Sequence, residues 1–186
     1  VGVVDRKKVI TGQKVKAGDV LLGLPSSGLH TNGYSLARKI IFQTAGLGIH
    51  DRFPGTRATV ADVLLAVHRS YLKPVMAVLD PVAIHAMAHI TGGGFPDNVP
   101  RVLPAGTCAV IDRTAWQVPP LFRFLQEQGK VDREEMYRVF NMGIGMLLIV
   151  RARDAARALT VLRQAGTRAV LVGRVEKGKE PVRLIN

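Results

Sequence analysis

Six short apolar runs, separated by segments of helical period or by glycine-rich stretches, constrain the fold of this 186-residue chain more than any other feature. Apolar runs of this length, bounded by turn residues, are typical of buried strands. The predicted strands are residues 19–24, 82–90, 107–111, 144–150, 168–175 and 182–185. Because strand–helix units are mixed with adjacent strands, we predict an α/β (α+β) fold: a mixed β-sheet with helices packed on its faces, partly ferredoxin-like.

The segments between these runs carry helix signals. A helix is expected to begin at Gly33 and to end at Gly46, and residues 61–79 are predicted to be helical with a break or a new start near Pro74. Further helices are predicted at residues 97–103, 119–128, 132–138 and 155–164. The apolar start at residues 1–4 lacks an initiating Met, so we expect a strand already under way in a fragment of a longer polypeptide.

The chain is strongly basic, with 26 Lys and Arg residues against 14 Asp and Glu residues and a net charge of +12. The charge is spread over both halves of the sequence and does not form a basic tail. A spread positive field attracts polyanions, so nucleic acid, a membrane surface and phosphorylated small molecules all remain open as partners.

The cysteine content and the hydropathy of the sequence indicate the cellular compartment. The single cysteine, Cys108, excludes an internal disulfide and a cysteine-built metal site. No apolar run approaches the roughly 20 residues that span a bilayer, and the N-terminus has no signal-peptide pattern. We therefore expect a cytoplasmic location.

The first loop that could carry chemistry, residues 25–33, follows a predicted strand and opens a predicted helix. Unpaired N–H groups at such a turn can hold an anion, and the glycines allow close backbone approach. The loop is therefore a candidate phosphate cradle. The alternative is an ordinary capped loop in which Asn32 is the N-cap and the serines turn the chain.

A second loop, residues 89–95, contains three consecutive glycines. Their entropic cost is best explained where the backbone approaches a ligand or another chain, although a tight strand-to-helix turn is an equal alternative. In a third loop, residues 141–146, glycines at the entrance of a strand favour a structural role.

The five histidines differ in their surroundings. His30 and His89 lie in the glycine-rich loops and are site candidates, whereas His85 falls on a predicted strand. His50 and His68 are interpreted as solvated or satisfied polar positions. Because no His-x-x-x-His pair falls on a confident helix, no metal site is predicted.

Three runs occur together in one order: SSGLHTNGYS at 26–35, HITGGGFPDNVPRVLP at 89–104 and EMYRVFNMGIGM at 135–146. In combination they resemble the phosphoribosylformylglycinamidine cyclo-ligase (aminoimidazole ribonucleotide synthetase) family. The resemblance runs over residues 1–186 and covers only the C-terminal, substrate- and phosphate-binding domain of that family. The family's N-terminal ATP-binding domain is not in this sequence.

The resemblance implies an ATP-dependent ring closure in purine synthesis. The formyl amide oxygen of formylglycinamidine ribonucleotide is phosphorylated, and an internal nitrogen then expels phosphate to give 5-aminoimidazole ribonucleotide. It also implies ATP and Mg²⁺ held mainly by the N-terminal domain, and a homodimer formed through that domain. An isolated C-terminal domain should therefore fold but should not catalyse the reaction.

The resemblance also implies roles for individual residues. The expected ligands of the ribonucleotide phosphate are Ser26, Ser27, Gly28, Asn32 and Gly33. The expected acid–base groups are His30 and His89, with a phosphate-ligand role as the alternative for His30. The residues expected to line the cleft towards the nucleotide are Thr91, Gly92, Gly93, Gly94 and Asn141.

Three alternatives remain open from the sequence. One keeps the superfamily but changes the reaction to selenophosphate synthesis, thiamine-phosphate phosphorylation or hydrogenase maturation. Another is a basic RNA-binding module, which the lack of aromatic residues interleaved along the predicted strands disfavours. The last is a non-catalytic interaction domain.

Overall fold

A computed structural model describes residues 3–186 of the chain. The N-terminal strand expected at residues 1–4 is not formed by its described part, and Val1 and Gly2 lie outside the described residues. Val3 and Val4 are exposed and irregular, and a 3₁₀ turn follows at Arg6–Lys8. The expectation was wrong for Val3 and Val4 because apolar character alone does not make a strand, which also needs a sheet edge to pair with.

Within residues 3–186, six strands form one sheet in the order β2-β4-β1-β5-β3-β6. Their bounds are β1 Asp19–Pro25, β2 Ile84–His89, β3 Thr107–Asp112, β4 Ile144–Arg151, β5 Val170–Lys177 and β6 Val182–Ile185. Neighbouring strands are antiparallel except for β3 and β6, which are parallel. The predicted mixed sheet is confirmed.

Helices fill the intervals between these strands. They are α1 Tyr34–Arg38, continued by a π-helix at Lys39–Thr44, then α2 Val60–Leu64, α3 Leu72–Leu79, α4 Gly94–Asn98, α5 Pro120–Gly129, α6 Arg133–Val139 and α7 Ala155–Gln164. Among residues 3–186, no helix is both long and apolar enough to cross a bilayer.

The segment predicted as helix at 61–79 consists of α2 and α3 with an irregular stretch, residues 65–71, between them. Pro74 lies in the first turn of α3, where a backbone N–H has no partner within the helix. The prediction of a new helix start near this proline is confirmed. The irregular stretch carries His68 and becomes part of the site described below.

Alternating side chains of the strands face two separate apolar layers. Leu21 points into the larger core, which includes residues of α5 and α6, whereas Leu22 points into a smaller core shared with α3 and α7. The sheet is therefore covered by helices on both faces, as predicted.

Strand directions place the three candidate loops at one end of the sheet. Strands β1 and β2 both run antiparallel to β4, one on each side of it. Pro25 at the end of β1 pairs with Ile144, and His89 at the end of β2 pairs with Met146. The loops that follow β1 and β2 therefore meet the loop that leads into β4.

Candidate functional site

Asn141 holds the first loop in place. Its side chain is buried, and its Oδ1 accepts hydrogen bonds from the Ser26 hydroxyl at 2.8 Å and the Gly143 N–H at 2.9 Å. Its Nδ2 donates to the carbonyls of Gly28 and Leu29, at 2.8 and 3.3 Å. The amide uses its hydrogen-bonding capacity inside the protein, so Asn141 positions the loop and does not itself face an open cleft.

The backbone of this loop adopts a conformation that L-residues rarely take. His30 and Thr31 have φ angles of 53° and 70°, and Gly33 follows at 73°. A Cβ atom at Gly33 would overlap the ring of Phe140, so only glycine fits there. Left-handed backbone at a non-glycine residue costs about 1–3 kcal/mol and is concentrated at functional sites, which marks His30 and Thr31 independently of any motif.

Most side-chain donors of the loop are engaged within the protein. The Ser27 hydroxyl donates to the Val67 carbonyl at 2.7 Å, and the Asn32 amide donates to the His30 carbonyl at 2.9 Å. The Ser26 hydroxyl donates to Asn141, as described above. For a ligand, this leaves the loop's main chain, where the N–H groups of Gly28 and Thr31 have no acceptor among residues 3–186.

A second buried asparagine, Asn98, organises the triple-glycine loop. Its Oδ1 accepts from the Thr91 hydroxyl at 3.0 Å. Its Nδ2 donates to the carbonyls of Thr91, Gly92 and Gly94 at 3.3, 3.2 and 2.7 Å. Sequence reasoning did not single out Asn98, although a lone amide beside apolar neighbours directly after a glycine run is a usable signal.

The three glycines have different reasons to be glycine. Gly94 is buried, and a Cβ atom there would overlap the carbonyl oxygen of Tyr137. Gly93 has a φ of 89°, and a Cβ there would overlap the Asp97 carboxylate. Gly92 alone is exposed, and a Cβ atom there would lie 3.3 Å from Oδ1 of Asn32 in the first loop. Packing within the chain therefore explains why Gly93 and Gly94 are glycines, but not why Gly92 is.

Three histidines from separate segments meet between these loops. The rings of His30 and His68 are stacked, with centroids 3.9 Å apart and planes at 19°. The ring of His89 lies 5.3 Å from that of His68, and one ring nitrogen of each histidine lies within 4.8 Å of the others. His30 is buried, whereas His68 and His89 are exposed. The interpretation of His68 as a solvated polar position missed its stacking on His30.

Burial and nearby charges disfavour protonation of His30 and His89. Burial is the main cause that lowers the pKa of His30 from 6.5 to about 4, and the nearby charges of His68, His89 and Arg69 lower it further. Desolvation also lowers the pKa of His89, with a smaller contribution from His68. His30 is therefore neutral at pH 7.

The hydrogen bonds of His30 define its tautomer. Its Nε2 accepts the N–H groups of Ser27 and Arg69, at 3.0 and 3.3 Å. A neutral imidazole has one lone-pair nitrogen, so the proton lies on Nδ1, an assignment that rests on this network. Nδ1 is buried and has no partner among residues 3–186. His30 thus joins the first loop to the irregular segment that carries His68.

The same geometry argues against a metal centre at the three histidines. A metal ion bound through Nε2 of His30 would have to displace both backbone N–H groups from its lone pair. The other ring nitrogen of His30, Nδ1, carries the proton in this tautomer, so neither nitrogen of His30 offers a free lone pair to an ion.

A different histidine pair lies at the other end of the sheet. His85 Nδ1 contacts Oδ2 of Asp19 at 2.7 Å, and both side chains are buried. Asp19 begins β1 and His85 lies near the start of β2, so this pair is remote from the loops at the strand ends. It stabilises the sheet and is not part of the candidate site.

The loops that build this site fall within a known family domain. Residues 16–185 match the profile of the family described as "AIR synthase related protein, C-terminal domain". The chain belongs to this family. The match includes all three loops and the segment that carries His68.

Seven curated relatives of this AIR synthase-related domain share one name. A phosphoribosylformylglycinamidine cyclo-ligase from Geotalea daltonii is 47% identical over 100% of this chain and 54% of its own length. The protein of the same name from Myxococcus xanthus is 48% identical over 96% of this chain and 52% of its own length. The chain therefore spans about half the length of the curated relatives that it matches.

Solved structures agree on the fold of the AIR synthase-related domain. Escherichia coli HypE, a hydrogenase maturation protein, aligns with a TM-score of 0.61 and 25% identity over 94% of this chain and 48% of its own. Thiamine-monophosphate kinase from Stenotrophomonas maltophilia aligns with a TM-score of 0.63 and 14% identity over 97% of this chain and 54% of its own. At 14% identity, the likeness to the kinase is evidence about the fold only.

Proposed function

We propose that this chain supplies the C-terminal half of a phosphoribosylformylglycinamidine cyclo-ligase. The reaction is the ATP-dependent cyclisation of formylglycinamidine ribonucleotide to 5-aminoimidazole ribonucleotide in purine biosynthesis. The observation that carries the proposal is the identity of 42–50% to cyclo-ligases, over 96–100% of this chain. Loops that converge at one end of the sheet support it.

Within this proposal the first loop faces the ribonucleotide phosphate. The phosphate-binding residues are Ser26, Ser27, Gly28, Asn32 and Gly33. Because the serine hydroxyls and the Asn32 amide are bonded within the protein, these residues act chiefly through main-chain N–H groups, those of Gly28 and Thr31 in particular. Fixed donors of this kind stabilise developing phosphoryl charge without reorganisation.

The remaining residues of the proposed site divide by exposure. His89 is the exposed imidazole and is available as an acid–base group, whereas His30 is buried and its lone pair is engaged. Of the residues expected to line the cleft, Thr91, Gly92 and Gly93 are proposed to do so, whereas Gly94 and Asn141 are buried and support the loops from within. Of these, Gly92 presents the most open surface, and Asn141 acts by fixing the first loop.

ATP and Mg²⁺ are assigned mainly to the other half of the enzyme. Mg²⁺ prefers carboxylate and phosphate oxygens. The cleft in this chain offers imidazoles and main-chain N–H groups, which suit a phosphorylated substrate better than a magnesium ion. We further infer a cytoplasmic enzyme that dimerises through the other half, with no nucleic-acid or membrane partner.

The test is to join this chain to the remaining half of the Geotalea daltonii relative and to measure conversion of formylglycinamidine ribonucleotide. The joined protein should consume ATP and form 5-aminoimidazole ribonucleotide, and this chain alone should form none. A joined, folded protein that cyclises nothing would contradict the proposal, as would turnover by the 186-residue chain alone.

The same joined protein separates the alternatives. The likeness to HypE at 25% identity favours a second candidate, an ATP-dependent reaction on another small molecule by the same architecture. Consumption of ATP with thiamine phosphate or selenide, but not with formylglycinamidine ribonucleotide, would select it. Tight binding of random RNA at near-physiological salt would instead select the basic binding module.

A further inference from the structure

We propose that His68, Arg69 and His89 form an oxyanion-binding site beside the first loop, with His30 as the positioning residue beneath it. The ligand class is a phosphate monoester or a phosphoryl group. The proposal rests on the proposed function only for the identity of the natural ligand. The site itself follows from contacts within this chain.

The side-chain donors of the first loop are already committed. The hydroxyl hydrogens of Ser26 and Ser27 point to protein acceptors, and so does the amide of Asn32. The three terminal oxygens of a phosphate monoester each accept more than one hydrogen bond, so a phosphate at the loop's main-chain N–H groups can accept further hydrogen bonds. A neighbouring segment can supply these additional donors.

The neighbouring segment is residues 65–71, which four hydrogen bonds tie to the loop and to the end of β1, one of them between Thr31 Oγ1 and His68 Nδ1 at 3.4 Å. Ser27 Oγ donates to Val67 O at 2.7 Å, Arg69 N donates to His30 Nε2 at 3.3 Å, and Tyr71 OH donates to Pro25 O at 3.0 Å. His68 and Arg69 are therefore held against the loop although the segment has no regular secondary structure.

Arg69 brings a buried donor to this position. Its Nε is buried without a hydrogen-bond partner, and no carboxylate pairs with its guanidinium among residues 3–186. Leaving a buried charged donor unpaired is unfavourable, and an incoming oxyanion would supply the missing acceptor. Planar guanidinium groups match phosphate oxygens in geometry as well as in charge.

Two exposed imidazoles belong to the cluster that contains His30, the residue that accepts the Arg69 N–H. The ring centroids of His68 and His89 are 5.3 Å apart, and the charge of Arg69 acts on His30. The charge of His68 opposes protonation of His89, and an anion bound between the two imidazoles would offset that effect. Groups that repel one another would therefore all attract a phosphate.

His30 sets the orientation of this surface. Because its Nε2 is bonded to the backbone on both sides, the ring is a fixed platform on which His68 lies flat at 3.9 Å. His30 acts on the ligand through His68, so it is a positioning residue.

The test uses the 186-residue chain and inorganic phosphate alone. Phosphate is titrated while the side-chain resonances of histidine and arginine are followed by NMR. The resonances of His68, Arg69 and His89 should shift together along one saturable curve. Replacement His68→Ala or Arg69→Gln should weaken phosphate binding about tenfold, the size expected for one lost hydrogen bond to a charged group.

His50→Ala is the matched control, because His50 is also exposed but lies outside the cluster. It should leave phosphate affinity unchanged, and Arg69→Lys should recover only part of the loss because the planar fork is missing. Unchanged affinity in His68→Ala, or shifts confined to residues elsewhere, would overturn the proposal. His68 is exposed, so its replacement decides the matter even if Arg69 variants fold poorly.

This titration needs neither ATP nor the other half of the enzyme. If phosphate does not bind at the cluster but the joined protein cyclises its substrate, the proposed anion site is wrong and the proposed function is supported. If phosphate binds at the cluster but the joined protein is inactive, the proposed function is wrong and the proposed anion site is supported.

Discussion

His68 lies flat against His30, with ring centroids 3.9 Å apart, although the two residues belong to different loops of the chain. The contact buries one face of an otherwise exposed imidazole and fixes where its edge points. The partner ring is itself locked by two backbone N–H groups. An irregular segment thereby gains a defined position at the mouth of the site.

The stability of the chain should depend on pH through His30. Its pKa in the folded chain is about 4, below its ordinary value of 6.5, so the unfolded chain binds the extra proton more readily. This contribution is complete above pH 6.5 and is lost as the pH falls towards 4. The free energy of unfolding, measured by urea denaturation, should fall across that window.

Carboxylates also lose stabilisation in acid, so the informative quantity is a difference between variants. His30→Asn should flatten the pH dependence between pH 6.5 and 4, since asparagine tolerates the left-handed backbone but does not titrate. His50→Ala should keep the dependence of the parent chain. Equal slopes in the parent chain and in His30→Asn would show that His30 is not the group responsible.

Asn141→Ala should destabilise the chain by about 3 kcal/mol, because it leaves buried loop carbonyls and the Ser26 hydroxyl without their partner. Urea denaturation measures the loss. The exposed amide of Gln43 offers a control, and Gln43→Ala should change stability by no more than about 0.5 kcal/mol. Comparable small effects for both variants would mean that Asn141 does not hold the loop.

Gly94→Ala should cost about 3 kcal/mol or more, since left-handed backbone and an overlap with the Tyr137 carbonyl act together. Gly46→Ala is the matched control. Gly46 has a similar φ of 66°, but a Cβ added there would meet no atom within 4 Å, so its replacement should cost only about 1 kcal/mol. Thermal melting of both variants gives their losses of stability, and the difference between these losses is the cost of the overlap with Tyr137. Equal losses would show that the overlap contributes nothing.

Asp19→Ala should destabilise the chain by about 3 kcal/mol, because it leaves His85 buried without its partner. Phosphate binding at the opposite end of the sheet should be unchanged in the folded variant. The exposed carboxylate of Asp80 serves as the control, with little effect expected from Asp80→Ala. A loss of phosphate affinity in Asp19→Ala would show that the two ends of the sheet are coupled.

Local signals in the sequence identified most of the elements. The six apolar runs became the six strands, and the acidic residue Asp132 caps α6 by accepting from the N–H groups of Glu134 and Glu135. Pro74 marked a helix start because its effect on the backbone is confined to one turn. The start of the chain was the exception, since apolar character at Val3 and Val4 did not imply a paired strand.

The sequence by itself determined the strands, most helix starts and the glycine loops, because these depend on residue spacing and on backbone freedom over a few positions. Only the tertiary structure decided that His68 stacks on His30, that the Arg69 N–H bonds to the same ring, and that Asn98 and Asn141 hold the loops from within. The physical reason is the antiparallel placement of β4 between β1 and β2. That pairing brings distant segments to one end of the sheet, and no local pattern in the chain encodes it.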